Sequence, residues 1–595
     1  MKSLAEQLRN KYITENLECS TIVNYDKADI SKTYLYKDLP DLSINGYPFA
    51  ADFISDKGVA YGMQDWLSVS EEEKKRCTLR FHYLPCCHEI YLGCTGSGKT
   101  TGCIEPQLRA LSSQKNKPDL FITDPKGELF DHNARHLKDN GYRLYVLNFK
   151  NLTRSDNWNP LLELYDTAMK LRDIGKGTRT VTGALPEEGL TLFAPIERFN
   201  KALGYIVYDG KAFPSPVEYD VYIEVQENSI HAEIDQLVNE IAHTMIQVTN
   251  KNDKTWEEGA IEMLKGLFIL MVDFAVEGKG FTREMMNMQT LHSYYITLRT
   301  YSMSGGERTG RLDRYPLFCN GKHKKAFDLL ATALNTAQVT MRGYCSIFEA
   351  AMQDWFQANI YAITTSQTVN LDKDDDTPFA IFLITRDYEK SDFRIAGLFI
   401  DWVYRFVLKR NEDNPDSRPV HFLLDEFGNI PKIADFENKI ATARSRNMWF
   451  HLVLQSYAQL DLIYEKASEI IVDNCNSLVF LGSQNADTKK KFSEQCGLHS
   501  IERYLLQEST AVDIIEVPIV PRSRLDEMRP GEMYIKRFRA PVIKSEFIRS
   551  YICAQEGYFP HFRESDGLET CTPFASVSYA NKRFIHSLPK VHDDD

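Results

Sequence analysis

A chain of 595 residues has room for about three or four domains of ordinary size. With 43% hydrophobic and 26% charged residues it has the composition of an ordinary soluble globular protein. Its formal net charge of −13 argues against non-specific coating of nucleic acid, so any contact with DNA has to be local, in a pore or a patch.

A spanning helix needs about 20 mostly apolar residues. The longest uncharged stretch, Trp355 to Leu371, is rich in Gln, Asn, Thr and Ser, and the apolar run Leu267 to Val272 is too short. The amino terminus is charged throughout and does not read as a signal peptide. The 12 cysteines have no regular spacing and read as reduced cytosolic thiols. The densest cluster, Cys86-Cys87-His88, has no partner pair at zinc spacing and reads as the entry to a strand.

In chain order, residues 1–75 are weakly patterned and read as an amino-terminal extension. From residue 80, apolar runs alternate with helical patterns, the signature of a parallel sheet. The strands are EIYLGC, PDLFITD and RLYVLNF, with helices from Lys99 to about Ser112 and over NARHLKDNGY, closing on Gly141. Residues 175–225 break the rhythm, and the alternation in VEYDVYIEV points to a β-rich insertion. Residues 226–357 read as nearly all helix. There Thr255 with Glu258 fits a capping box, and Trp256, Ala260, Met263, Leu264, Leu267 and Met271 share one face. Strands resume in PFAIFLIT, RPVHFLLDEF, NMWFHLVLQSY and NSLVFLGS, within a second α/β segment over 358–555, and a tail follows over 556–595.

LGCTGSGKT holds the chemistry. Gly93, Cys94, Thr95, Gly96, Ser97, Gly98, Lys99, Thr100 and Thr101 form a Walker A loop between an apolar run and a helix. Glycines let backbone N–H groups point inward at phosphates, and the helix amino terminus favours the negative charge. Lys99 would neutralise the β- and γ-phosphates, and the Thr100 hydroxyl would hold Mg2+. VHFLLDEF is the matching acid-terminated strand, with Asp425 for Mg2+ and Glu426 as general base. Gln455 ends a later strand, where a polar side chain can sense a γ-phosphate. Arg444 and Arg446 precede that strand; an arginine at a subunit edge can act on a neighbour's nucleotide, and Arg444 is favoured over Arg446. Asp124, Lys126 and Glu128 end the second strand and are crevice candidates without assigned roles. Arg308, Arg311 and Arg314, with Lys322, Lys324 and Lys325, form basic clusters suited either to a DNA backbone or to a solvated helix face.

Taken in this order, GCTGSGKTT, TDPKGEL, NWNPL, TWEEGAIEML, FLLDEFGNIP, ATARSRNMWFHLVLQS and RSRLDEMRPGEMYI resemble the type IV secretion coupling proteins, the TraG/TraD-like ATPases of bacterial conjugation, over about 85–550. The resemblance implies an α/β fold: a RecA-like P-loop nucleotide-binding domain, a largely parallel sheet flanked by helices, with an inserted all-α domain. It implies ATP and Mg2+ as cofactors, catalytic roles for Glu426, Gln455 and Arg444, and a homo-hexamer when active. It implies single-stranded DNA and its relaxase, the relaxosome, as cargo, and the ATPases of a type IV secretion channel as partners. Typical members carry amino-terminal membrane helices, and none is visible here. The expectation is therefore a cytoplasmic protein, peripheral at the inner face of the cell membrane, that docks to a separate membrane subunit, with a monomer at rest left open. A double-stranded DNA translocase of FtsK/HerA type, and a nucleotide-gated adaptor that recruits relaxase without processive translocation, remain as alternatives.

Overall fold

The computed structural model describes residues 34–35 and 47–563, apart from stretches at 85–86, 152–153, 186–188, 195–202, 247–253, 305–311, 313–314, 373–375, 387–389, 415, 431 and 505–511. The described chain divides into two compact units. One is built from residues up to Asp156 and from Val369 onward, the other from Asn157–Thr368.

The first unit is organised by a nine-stranded sheet. Its strands are β1 (His88–Leu92), β2 (Asp119–Thr123), β3 (Arg143–Asn148), β4 (Phe379–Ile384), β5 (Val420–Leu424), β6 (Met448–Leu454), β7 (Cys475–Phe480), β8 (Glu532–Arg537) and β9 (Ile543–Glu546). Their order across the sheet is β9-β8-β7-β1-β6-β5-β2-β4-β3. All pairs from β7 to β3 are parallel, and β8 and β9 are added antiparallel at the edge. β1, β2, β4, β5 and β6 are buried at every position, so their sequences read as mostly apolar runs rather than alternating ones, with polar residues such as Glu89, Asp119, His421 and His451 buried among them. The expected largely parallel sheet with flanking helices is therefore observed, and its P-loop strand β1 is separated from the acid-terminated β5 by β6, a RecA-like arrangement.

Part of the expected amino-terminal extension is a structural layer. Tyr47–Ile54 pairs antiparallel with Thr78–Leu84 and with Ala60–Tyr61. Ala51, Phe53, Leu79 and Phe81 from this small sheet are buried with Trp66, with Ala110 of the helix after β1, and with Ile548 and Ile552 near the other end of the chain. Inside the sheet, Arg80 Nε donates to Asp52 Oδ1 at 2.8 Å, a buried ion pair. Sequence pattern could not reveal this layer, because its partners lie far apart along the chain.

The second unit opens on the NWNPL turn. The Trp158 N–H donates to the Ile363 carbonyl at 2.8 Å, Asn157 Nδ2 to Ser366 Oγ at 2.6 Å and Asn159 Nδ2 to the Met286 carbonyl at 2.7 Å. Its centre is the helix Thr255–Glu277, buried on nearly all sides. Ala260, Met263, Leu264, Leu267 and Met271 are buried as the helical spacing requires, while Trp256 is 37% exposed and meets Tyr344 edge-on at 5.8 Å. Gly343 is required there, since a Cβ would stand 2.1 Å from the Trp256 ring. The capping box does not form as expected: Lys254 occupies the N-cap, and Thr255 is the first helical residue.

The β-rich insertion is half right. Arg179–Val181, Tyr205–Tyr208, Lys211–Phe213 and Thr191–Leu192 form a four-stranded sheet. VEYDVYIEV, however, lies in the helix Pro216–Met245. Ser215 is its N-cap and accepts from the Glu218 N–H at 3.3 Å, and Pro216 stands in the first turn with its ring-fixed φ. Tyr219 and Tyr222, three residues apart, both pack against Phe213, at ring distances of 5.6 and 5.0 Å. Val217, Val221 and Val225 lie four residues apart on the exposed face. The period-two alternation is thus two interleaved helical stripes. Ser215→Ala removes the cap and is expected to lower the stability of this unit by about 1 kcal/mol, read as an earlier urea midpoint in far-ultraviolet circular dichroism.

Candidate nucleotide site

Parallel pairing brings the carboxyl ends of five neighbouring strands to one edge of the sheet. Leu92 of β1 aligns with Leu454 of β6 and Phe480 of β7, and Leu424 of β5 aligns with Leu452 of β6 and Thr123 of β2. Loops leaving these ends share one crevice, where open α/β sheets bind ligands.

The Walker A loop is tied to its neighbours through the backbone. The Gly93 N–H donates to the Leu454 carbonyl at 3.0 Å and the Cys94 N–H to the Gly482 carbonyl at 2.8 Å. Gly96 (φ 81°) and Gly98 (φ 97°) adopt the left-handed conformation that lets the loop curl. A Cβ at Gly93 would meet Ser97 Oγ at 2.3 Å. Lys99 folds over the loop, its Nζ donating to the Gly93 carbonyl at 2.5 Å and the Cys94 carbonyl at 3.0 Å. Burial pulls its ammonium below the usual lysine range, Asp425 and Glu426 oppose the shift, and nearby Lys126 adds to it. Ser97 Oγ is buried without a hydrogen-bond partner among the described residues. A buried cation held on loop carbonyls, an unpartnered hydroxyl and a glycine-built curl suit a polyanion. Thr100 and Thr101 open the helix, whose first turn, Lys99–Ile104, is wound as a π-helix, a form often found at functional positions.

Across the crevice, Thr100 Oγ1 donates to Asp425 Oδ2 at 2.7 Å. Burial pushes the Asp425 carboxyl up to about 6, the Thr100 hydroxyl pulls it down and neighbouring Glu426 pushes it further up. A hydroxyl and a carboxylate with an acid beside them form a hard-oxygen set that fits Mg2+. Thr123, absent from the sequence-based candidates, holds the Asp425 carbonyl through its hydroxyl at 2.9 Å. Glu426 takes the left-handed conformation (φ 52°), uncommon for a residue with a side chain and often found at functional sites. Its Oε2 accepts from Asn429 Nδ2 at 2.9 Å.

Gln455 follows β6, the strand between β1 and β5, so it stands between the Walker A loop and the acid pair. Its N–H donates to Gln459 Oε1 at 2.9 Å. A Cβ at Gly428 would meet that same oxygen at 2.6 Å, which explains the glycine of DEFGN. Arg444 and Arg446 lie at the opposite end of β6. Seven strand residues separate them from Gln455, roughly 23 Å of rise, so neither reaches the crevice of its own chain. Arg446 Nε donates to Glu412 Oε1 at 2.8 Å, whereas Arg444 is exposed.

The remaining candidates separate. Asp124 accepts from the Gly127 and Phe130 N–H groups at 2.9 and 2.8 Å, so both its oxygens serve the start of the helix Glu128–Asp139. Lys126 and Glu128 are exposed. Cys87 Sγ contacts Ser477 Oγ at 3.2 Å and His88 Nδ1 accepts from the Phe450 N–H at 3.1 Å; Cys86 lies outside the described residues. Lys324 pairs with Asp328 at 2.8 Å and Lys325 with Asp235, while Arg308, Arg311 and Arg314 lie outside the described residues. Among the described residues no helix is long and apolar enough to cross a membrane.

Fold and site together define a RecA-like P-loop protein of the α/β class with an inserted helical unit. Residues 68–511 match the family described as type IV secretory system conjugative DNA transfer, and the chain belongs to that family. A segment is 42% identical over 112 residues to the uncharacterized protein pXO2-15 of Bacillus anthracis; the match covers 18% of this chain and spans 41% of that protein's length. Among solved structures, the bacterial conjugative coupling protein TrwBdeltaN70 superposes with a TM-score of 0.49 at 13% identity, over 78% of this chain and 84% of that one. TrwB in complex with ADP and Mg2+ gives 0.49 at 14%, over 78% and 85%. VirB4 of Thermoanaerobacter pseudethanolicus gives 0.39 at 11%, over 86% and 97%.

Burial pushes the Asp124 carboxyl up to about 7 against the pull of the backbone N–H groups of Phe130, Leu129 and Gly127. Between about pH 4 and 7 the folded chain therefore holds a proton that the unfolded chain has released, and stability falls as pH rises through this window. Above it the contribution is level. Asp124→Asn is expected to flatten that slope, measured as the difference in urea midpoint between the variant and the natural chain from pH 4.5 to 8.

Proposed function

We propose that this chain is a Mg2+-dependent ATPase that couples hydrolysis to delivery of relaxase-bound single-stranded DNA into a type IV secretion channel. The 2.7 Å contact between Thr100 Oγ1 and Asp425 Oδ2 carries the reading, because it sets the Walker A hydroxyl beside the acid of the neighbouring loop, where both oxygens could serve one Mg2+. Gly93, Cys94, Thr95, Gly96, Ser97, Gly98, Lys99, Thr100 and Thr101 hold the phosphates, with Lys99 turning from the loop carbonyls to the β- and γ-oxygens. Mg2+ on Thr100 and Asp425 supplies charge neutralisation when bound. Glu426 accepts the proton of the attacking water, and Gln455, between the two loops, contacts the γ-phosphate. Arg444, a strand length from its own crevice, acts on a neighbour's nucleotide in a homo-hexamer, while the Glu412 pair keeps Arg446 at home. The cargo, the channel ATPases, a separate membrane subunit and the peripheral membrane location belong to the same proposal.

The test is steady-state ATPase of the full chain with single-stranded and duplex DNA added separately, alongside mass photometry. Lys99→Ala is expected to lose nucleotide binding and turnover together. Glu426→Gln is expected to keep binding and lose about 100-fold or more in kcat. Arg444→Ala is expected to abolish only the activity that appears on assembly. Stimulation by single strands with ring formation supports the reading. Preference for duplex would move it to a double-stranded DNA pump, and a slow rate indifferent to DNA would move it to an adaptor.

A further inference from the structure

The segment after β9 crosses the Walker A loop and is fixed on every side. The Phe547 N–H donates to the Gly531 carbonyl and the Ile548 N–H to the Ala51 carbonyl, both at 2.8 Å. Ser550 Oγ donates to Glu105 Oε2 at 2.5 Å, on the helix that continues from the loop. The Phe547 ring is fully buried against two glycines of GSGKTTG: a Cβ at Gly98 would meet it at 3.0 Å and one at Gly102 at 2.2 Å. Between these anchors, Arg549 Nη2 donates to the Gly96 carbonyl at 2.8 Å. Arg549 Nε is buried without a partner among the described residues and lies 3.4 Å from the Cβ position of Gly98. Residues 547–550 lie beyond the family match at 68–511.

We infer that Arg549 is a nucleotide-positioning residue: its guanidinium fixes the tip of the Walker A loop through the Gly96 carbonyl and adds a cation at the mouth of the phosphate cradle. The peptide between Gly96 and Ser97 is planar and trans, so its carbonyl and N–H point to opposite sides. With the carbonyl held by Arg549, the Ser97 N–H faces the loop interior, where it donates to the Cys94 carbonyl at 3.1 Å. That N–H is one of the donors a phosphate would take. Lys99 Nζ bonds the same Cys94 carbonyl, so Arg549 also sets the frame from which Lys99 moves to the ligand. Because the Arg549 backbone is anchored on both sides, the guanidinium is placed before a nucleotide arrives, and little ordering remains for the binding step.

The inference rests on the nucleotide reading proposed above, and its test separates the two. Full-length natural chain, Arg549→Ala, Arg549→Lys and Lys99→Ala are titrated with fluorescent methylanthraniloyl-ATP and methylanthraniloyl-ADP in Mg2+, and their nucleotide-free melting temperatures are recorded. Loss of one charge-assisted hydrogen bond predicts about tenfold weaker binding for Arg549→Ala. Arg549→Lys is expected to recover part of that loss, and the nucleotide-free melt is expected to stay where it was. In turnover the effect is expected in KM, with kcat nearly unchanged, since Arg549 faces the cradle and not the acid pair. Two results would overturn the inference while leaving the nucleotide reading intact: natural affinity in Arg549→Ala beside lost binding in Lys99→Ala, or a loss that lysine does not rescue and a lower melt accompanies. Equal binding by the natural chain and Lys99→Ala would remove both.

Discussion

The nucleotide unit depends on one constraint, the parallel register of β1, β6, β5 and β2. Each strand is hydrogen-bonded to the next without slippage at its carboxyl end, and all four are buried throughout. A slip of a single residue in β5 would exchange the side chains on its two buried faces and move Asp425 by about 3.3 Å, beyond reach of the Thr100 hydroxyl. Packing of the strand interiors therefore fixes the geometry of the site to within a hydrogen-bond length. The acids at the strand ends contribute chemistry and little of the positioning.

Within that frame, neighbouring acids acquire different properties from their surroundings. Asp425 is buried, bonded to Thr100 and raised to about 6, so a bound divalent cation would supply the missing positive charge and hold it ionised. Glu426 leaves the strand in a left-handed turn and is held by Asn429 from the following loop. The two neighbours thus differ in surroundings, which is what the proposed division into a metal ligand and a base would need. The same loop meets Gln459 through Gly428, and Gln459 also holds the Gln455 backbone. A shift of the acid loop would therefore be felt at Gln455.

Much of this was legible in the sequence, because the readable parts are local. A glycine-rich loop between an apolar run and a helix, and an apolar run ending in Asp-Glu, each state their structure within about ten residues. What was not legible depends on distant partners or on patterns with two solutions. VEYDVYIEV satisfies both a strand and a two-striped helix, and only Ser215 and Pro216 before it decide the matter. Asp124 follows a strand as crevice residues do, yet the turn made by Gly127 claims its carboxylate. Residues 47–54 gain their place only by pairing with 78–84 and by packing against Ile548 and Ile552. Arg549 is 453 positions from the carbonyl it holds, and no local pattern announces such a contact.

The charge balance limits how such a chain can handle a polyanion. In the helical unit Lys170 faces Glu233, Lys265 faces Glu262, Arg283 faces Asp166, Lys324 faces Asp328 and Lys325 faces Asp235. The exposed ones among them contribute about 0–1 kcal/mol each and are screened by salt. At such a pair a phosphate backbone gains only by exchanging partners, and the displaced carboxylate then repels it. With a net charge of −13, one copy of the chain offers a weak and salt-sensitive surface. If the chain acts as proposed, a firmer grip on DNA would come from several copies whose cations converge on one strand. On that proposal, assembly and transport would be a single event, because one copy lacks the cation density to hold the strand alone.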